Sequence, residues 1–345
     1  MFPFFFCGFF MSDDDVILLN SANDNVDDDM ILPFQLESSN LRGRIVRLGP
    51  VIREILDPHA YPVPVAQLVA ETSGMALLLG GMLKYEGIFT LQAQGDGPVR
   101  LLVADLTTSG DLRAYAGFDA ERLSSFLGDS GEQVVGLRAT DRPLDLENLV
   151  GHGYLAFTVD QGEHTERYQG IVELKGPNLS ACVRHYFEQS EQIGTVILVA
   201  AGQTGEGWRA GGLMLQRLPL PEDQKTPEAQ AQAEEDWGRA RALLETCSTE
   251  ELISPRLDAS SLLFRLFHEE GVRVYNPLKL RKGCRCSSDR LSGILSAMPP
   301  DDLDHMAELD GQITMRCEFC AKDFRFDRAA LGTGTIFHQE KGEDS

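Results

Sequence analysis

The sequence predicts an α+β protein: a core of mainly antiparallel sheets with packed helices, then a helical linker, then a small C-terminal four-cysteine module. Three observations carry that expectation. Strand-like runs follow one another across short Gly-, Asp- and Pro-containing turns instead of alternating with helices as βαβ units do. One stretch, Val65 to Lys84, is apolar nearly all round, the pattern of a helix buried on every side. Four of the seven cysteines fall late in the chain, as Cys284-Arg-Cys286 and, after 30 intervening residues, Cys317-Glu-Phe-Cys320.

The elements follow in order. Structure is expected to begin near Leu32, with a strand over Leu41 to Leu48 that Gly49-Pro50 breaks ahead of a short helix, Val51 to Leu56. Tyr61-Pro-Val-Pro64 marks the next boundary, and the all-round apolar helix follows it. Runs Gly87 to Gln94, Val99 to Leu106 and Leu112 to Phe118 make a meander, and Gly95-Asp-Gly97-Pro98 reads as a turn. Tyr154 to Val159 and Arg167 to Leu174 form a further hairpin, Pro177 to Gln189 a helix, and Thr195 to Ala201 with Gly212 to Leu218 the closing strands.

Composition changes at Pro219-Leu-Pro221. Thr226-Pro227 starts a surface helix rich in Ala, Gln and Glu, Ser248-Thr-Glu-Glu251 is a capping box, and Asp258 precedes an amphipathic segment that Gly271 ends. In the cysteine region Asp289 is expected to cap a helix, Pro299-Pro300 to start another, and Gln312 to Phe326 to form a hairpin turning at Cys317 to Cys320. The expected organisation is a disordered acidic extension over 1–31, a core over 32–221, a linker over 222–280, a zinc module over 281–330 and a tail over 331–345.

Charge and composition exclude several classes. A net charge of −22 opposes nucleic-acid binding, which needs a clustered basic face. Seven cysteines in 345 residues are too few for a disulfide-built secreted scaffold, so a reducing cytoplasm fits best. Met1 to Phe10 holds six phenylalanines, yet no Lys or Arg precedes the apolar run and it is too short to span a bilayer. It reads as an upstream over-extension of the chain, with a membrane-touching segment as the alternative. Met11 to Met30 carries seven aspartates and no basic residue, a disordered composition. No stretch reads as a transmembrane helix.

Two thiol pairs of such close spacing supply four soft ligands for one tetrahedral Zn2+, at Cys284, Cys286, Cys317 and Cys320. The ion either only holds the module together, or the site is a redox switch. Without the metal, each pair lies within reach of a local disulfide, and the Cys-x-Cys half departs from ordinary zinc ribbons. Because small zinc modules fold on their metal, oxidation would become an order-to-disorder change. Leu262, Leu263, Phe264, Leu266 and Phe267 of the linker are the apolar candidates for exposure and client binding.

No P-loop, His-Glu-x-x-His or Gly-x-Ser-x-Gly occurs, and no catalytic residue is expected. His268, Glu269 and Glu270 read as helix-end residues, His305 as unneeded beside four thiolates, Cys182 as a buried structural thiol and Cys247 as incidental.

Over roughly residues 33 to 330 the chain resembles the redox-regulated holdase chaperones of the heat-shock protein 33 family. The resemblance rests on Asn40-Leu-Arg-Gly43, Tyr61-Pro-Val-Pro64, Leu83-Lys-Tyr85, Leu91-Gln-Ala-Gln-Gly-Asp-Gly-Pro98, Gly151-His-Gly-Tyr154, Glu166-Arg-Tyr-Gln-Gly170, Tyr186-Phe-Glu-Gln-Ser-Glu191, Ala210-Gly-Gly-Leu213, Leu266-Phe-His-Glu-Glu270 and the two cysteine pairs. It implies a cytoplasmic, ATP-independent chaperone that is inactive when reduced and zinc-bound. Oxidation would pair Cys284 with Cys286 and Cys317 with Cys320, release zinc, unfold the linker, favour a homodimer and expose a surface for unfolding client proteins. The competing reading is a zinc ribbon with a purely structural ion that docks protein or RNA; eight basic and nine acidic side chains over 281–328 give RNA no basic face. A thiol oxidoreductase working through Cys317 and Cys320 is the third.

Overall fold

The computed structural model describes residues 17–18, 28–83, 85–127, 146–162, 167–191, 193–221, 223 and 225–331. The chain divides into two compact units, one ending at Gly283 and the other beginning at Cys284.

The larger unit is built on two sheets. The first runs β1 (Ile17–Leu18), β11 (Val272–Val274), β2 (Met30–Leu36), β3 (Leu41–Leu48), β10 (Gly207–Arg217) and β9 (Thr195–Thr204), and β12 (Leu278–Lys279) also pairs with β2. Every pairing in it is antiparallel. The second runs β13 (Arg281–Lys282), β6 (Asp111–Phe118), β5 (Val99–Thr107), β4 (Ile88–Gly95), β7 (Gly153–Asp160) and β8 (Tyr168–Glu173), antiparallel except that β13 lies parallel to β6. Strands β3 to β8 lie within one residue of where the sequence places them, β9 runs three residues longer than expected, and β10 starts five residues before the expected Gly212; β1, β2, β11, β12 and β13 have no counterpart among the expected strands.

Helix α2 (Val63–Gly80) explains its own unusual pattern. It packs against β3, β9 and β10 of the first sheet and β4, β5 and β6 of the second, so a helix with one apolar stripe would leave a sheet uncovered. Among the described residues it is the one helix long and apolar enough to cross a membrane, and its burial accounts for that composition. Glycines let the layers close: a Cβ on Gly80 would meet the Phe89 ring at 3.1 Å, and one on Gly212 the Leu78 side chain at 2.8 Å.

The turn expected at Gly95-Asp-Gly97 is also a clasp. The Gly97 N–H donates to the Val150 carbonyl and the His152 N–H to the Asp96 carboxylate, while a Cβ on Gly95 would stand 2.0 Å from the Val150 oxygen. Only bare backbone allows that approach.

The first sheet has two apolar faces because its strands alternate strictly. Ile31, Val46, Leu48, Ile197, Ala210 and Met214 point toward α2. Phe34, Leu36, Leu41, Ile45, Leu213 and Leu215 point the other way, where the linker covers them.

Three expectations need correction. The acidic extension expected over 1–31 is structured in part. Ile17–Leu18 pairs with β11, Asp28 grips Arg209, and the Asp29 carboxylate accepts the Gly49 and Val51 N–H groups at the start of α1 (Pro50–Leu56). An acidic run looks solvated by composition, but here two buried donors and a helix start need carboxylates. Residues 272–274 and 278–279, expected within a helical linker, form β11 and β12, since the edge of the first sheet offers them backbone partners. Ser287, and not Asp289, caps the helix at 288, by accepting the Arg290 N–H.

One half-buried acid is a test of this packing. Glu71 lies within α2 with only the Gln67 side-chain amide donating to it, and burial pushes its carboxyl up to about 7. A carboxyl raised in the folded state loses its favourable contribution as pH climbs from its unfolded value near 4.5 to about 7. Glu71→Gln should therefore raise the melting temperature at pH 8 and leave it nearly unchanged at pH 4, measured by thermal denaturation across that range.

Candidate metal centre

The smaller unit is short of apolar material. Helices α9 (Ser288–Ser296) and α10 (Pro300–Met306) and the hairpin of β14 (Gln312–Arg316) with β15 (Asp323–Asp327) enclose a core of Leu295, Leu303, Ile313, Phe324, Phe326 and Leu331. Such a core supports little stability alone.

Against it stand the four cysteines. Cys317 to Cys320 turn between the hairpin strands, with the Ala321 N–H donating to the Cys317 carbonyl, the Cys317 N–H to the Lys322 carbonyl, and Ala321 at φ 58°. Cys284 and Cys286 come from the extended segment before α9. All four Sγ atoms lie within 4.8 Å of one another, and none belongs to a disulfide. Cys284 and Cys286 are 3.3 Å apart, Cys284 and Cys317 3.6 Å, Cys286 and Cys320 3.5 Å. Four thiolates at Zn–S bonds of about 2.3 Å form a tetrahedron with edges of ~3.8 Å, so the cluster is close to that size.

The thiols' own chemistry agrees with a cation. Burial opposes ionisation of Cys284, yet the Cys286 N–H and the neighbouring thiols stabilise its thiolate and bring it down to about 7. Cys286 is pushed up, by burial and by its thiol neighbours, and Cys320 is raised by burial. One negative charge is tolerated and the next is resisted, so four thiolates together need a cation among them. His305 is exposed, with its Nδ1 against the Asp301 carbonyl, and is not one of the cluster.

The linker candidates sit elsewhere, in the larger unit. Helices α6 (Pro227–Glu245), α7 (Thr249–Ile253) and α8 (Ala259–Phe267) lie on the second face of the first sheet. Each starts on a side-chain cap: Thr226, Ser248 with its reciprocal Glu251, and Asp258. Leu262, Leu263 and Phe267 are fully buried and Leu266 nearly so, with Phe267 stacked on Phe34 at 5.9 Å. Phe264 is only half-buried, against His268. Glu270 is no metal residue: it is buried, accepting from Arg239 and Ser38. Cys182 is fully buried, its thiol raised by burial; Cys247 packs beside the linker core, where burial and then Glu251 push it up to about 11.

Two residues escaped the sequence reading. Arg47 on β3 and Arg209 on β10 are each 1% exposed, beneath α7. A signal was present: period-two alternation puts Arg47 in line with Leu41 and Ile45, and Arg209 in line with Leu213 and Leu215, on an apolar face.

The fold and the thiol cluster define a class, an α+β core with a C-terminal four-cysteine centre suited to a metal. The Hsp33 protein family model matches residues 29–327, and the chain belongs to that family. A 33 kDa chaperonin of Caulobacter vibrioides is 41% identical over 304 residues, which cover 87% of this chain and 95% of the relative. One from Ectopseudomonas mendocina is 36% identical over 299 residues, covering 86% and 92%. The crystal structure of a 33 kDa chaperonin (heat shock protein 33 homolog) from Thermotoga maritima superposes with a TM-score of 0.68 at 19% identity, covering 88% of this chain and 96% of the other, and shares the fold.

A variant at one cysteine of the cluster checks whether the centre holds zinc. Even the loss of an outer-shell partner weakens a metal site roughly 10- to 100-fold, so Cys286→Ser should lower zinc affinity by more than that. Competition against a colorimetric chelator measures it, and hydrogen exchange should show residues 284–331 losing protection while α2 keeps its own.

Proposed function

We propose that this protein is a redox-regulated, ATP-independent holdase chaperone of the cytoplasm, not an enzyme, held inactive while Cys284, Cys286, Cys317 and Cys320 are reduced and ligate one Zn2+. One observation carries the reading: an apolar sheet face is covered by separate, individually capped helices, with Leu262, Leu263, Leu266 and Phe267 as the covering side chains. A face of that kind holds unfolding proteins once uncovered. The family membership and the relatives' name, 33 kDa chaperonin, point the same way.

When bound, a Zn2+ held by Cys284, Cys286, Cys317 and Cys320 would offset half of the four thiolate charges and tie 284–320 into one fold. Oxidation acts on the chain's own sulfurs. Each of the thiolate pairs Cys284–Cys286 and Cys317–Cys320 gives up two electrons to one peroxide or one hypochlorous acid; an S–S bond forms, and the oxidant, taking two protons from solvent in the first case and one in the second, leaves as two waters or as chloride and water. The sulfur distances alone also allow other pairings; adjacency in the chain and the family resemblance select these. Two disulfides leave no thiolate to hold a metal, and a core as small as that around Ile313 and Phe324 does not keep its order alone.

The step from module to linker runs through the chain just before Cys284. Residues 278–283 are held by backbone bonds to β2 and β6, by Arg281 to Asp111, and by Lys282 to the Glu54 carbonyl. Loosening there frees β11 and then α8, whose burial against the sheet is the main source of its stability. Unfolding proteins then bind, and the opened protein pairs as a homodimer; nucleic acid and membrane are not partners.

Zinc release followed during hypochlorous acid treatment, beside light scattering of a denaturing client, is the direct test. The metal should leave as aggregation is suppressed, and reductant with zinc should reverse both. Retained zinc, or release with no gain in holding, returns the cysteines to a structural role. Loosening the cover without oxidant is a second test. Phe267→Ala removes a buried ring worth about 3–5 kcal/mol. The reduced variant should bind a hydrophobic dye and hold client at oxidant levels that leave the wild type inactive.

A further inference from the structure

Beneath α7 the sheet carries a site built for main-chain oxygen. Arg47 Nη1 donates to the carbonyls of Glu251 at 3.2 Å and Leu252 at 2.9 Å, and its Nη2 to that of Ser254. Arg209 Nε donates to the Ile253 carbonyl at 2.8 Å. Four successive carbonyls are thus gathered by two guanidiniums that are themselves 1% exposed. Gly211, opposite Arg47 in the β3–β10 register, is the floor: a Cβ there would lie 2.2 Å from the Leu252 oxygen.

Three carboxylates surround the two arginines: Asp28 and Glu206 near Arg209, and Asp28 and Asp258 acting on Arg47. Arg209 is held in place by a two-pronged pair with Asp28, 2.7 Å at Nη1, leaving Nε free for the carbonyl. Arg47 forms no ion pair among the described residues, and at neutral pH it keeps its charge although burial and the neighbouring Arg209 lower it to about 10. The resident segment brings only apolar side chains to the cradle, Leu252 and Ile253, while the Glu251 carboxylate turns away to the Ser248 N–H and Arg265. Nothing in the recognition depends on side-chain identity beyond being apolar.

We propose that the cradle of Arg47, Arg209 and Gly211 is a binding subsite for the main chain of an unfolded polypeptide, occupied in the closed structure by the linker's own Glu251–Ser254 and vacated on activation. The proposal rests on the holdase reading above. Apolar side chains over carbonyls are what every unfolding protein offers, and the cradle adjoins Leu213 and the rest of the uncovered face. Charge-assisted bonds to carbonyls hold such a segment without reading its sequence. Asp28 keeps Arg209 in position before any ligand arrives, which lowers the ordering cost of binding.

The test uses the full chain, reduced with zinc or oxidised, and a fluorescent peptide of residues Thr249–Leu257 as probe, beside a denaturing client. The oxidised protein should bind the peptide and the reduced one should not. Arg47→Met should weaken both peptide and client binding about tenfold or more in the oxidised form, the scale of losing charged hydrogen bonds. Arg100→Met, an exposed arginine paired with Asp119 on the other sheet, should change neither. A peptide with ester links after Leu252 and Ile253, whose carbonyls are weaker acceptors, should bind the wild type several-fold less well, and that difference should shrink in Arg47→Met. If Arg47→Met does not fold, the ester comparison on the wild type decides alone. Oxidised wild type that holds client while Arg47→Met and the ester peptide behave normally overturns the subsite and leaves the two arginines as an end-cap for α7. Oxidised wild type that holds no client removes the holdase reading itself.

Discussion

A sheet with two apolar faces must be covered twice, and in this protein the two covers differ in kind. One is α2, locked between two sheets and reachable only by dismantling the core. The other is α6, α7 and α8, three helices that share no sheet of their own and owe their helicity to caps and to docking. The same strands serve both, because alternation sends Ile31, Val46 and Met214 to one side and Phe34, Ile45 and Leu213 to the other. The two covers are therefore uneven by construction: α2 is tied to both sheets, while the linker helices depend on their caps and on one sheet face.

The buried arginines sharpen that contrast. Burying a guanidinium is costly unless its donors are satisfied, and Arg47 is satisfied by linker carbonyls alone among the described residues. When α7 is in place these bonds hold it; once it departs, water solvates the charge and removes the cost. The closed state is thus held by interactions whose loss is softened by solvation, unlike the purely apolar contacts of Phe267 on Phe34, whose exposure stays unfavourable. A cover that mixes the two can be firm when seated and still leave readily, with the apolar part supplying the surface that the proposed chaperone uses.

Much of this was legible in the sequence. The all-round apolar run had to be an interior helix, the meander was marked by its turns, and Ser248 with Glu251 announced a helix start that the structure builds as a reciprocal cap. The four cysteines stood out by spacing, and they do converge. What was hidden depends on partners far along the chain. Asp28 belongs to an acidic run whose composition reads as solvated, and only Arg209, 181 residues later, gives it a fixed place. Residues 278–282 carry too few residues per strand for a periodic signal, and their strand character comes wholly from edges that β2 and β6 present. Arg47 and Arg209 look like surface positions until the alternation is counted and the second cover is known.

Those short strands bear on how a change at the cysteines reaches the linker. Between α8 and Cys284 the chain makes β11 and β12 on the first sheet, then crosses to lie along β6 of the second, with the Leu280 N–H donating to the Asp29 carbonyl at the crossing. Asp29 also caps α1, and its neighbour Asp28 holds Arg209, whose Nε holds α7. One two-residue segment therefore touches the stretch leading to the first cysteine on one side and the grip on α7 on the other. In the proposed switch that shared anchorage supplies a physical route from a thiol oxidised at 284 to a helix released at 249–253. Both ends bias the same small element, which is what coupling between distant sites requires.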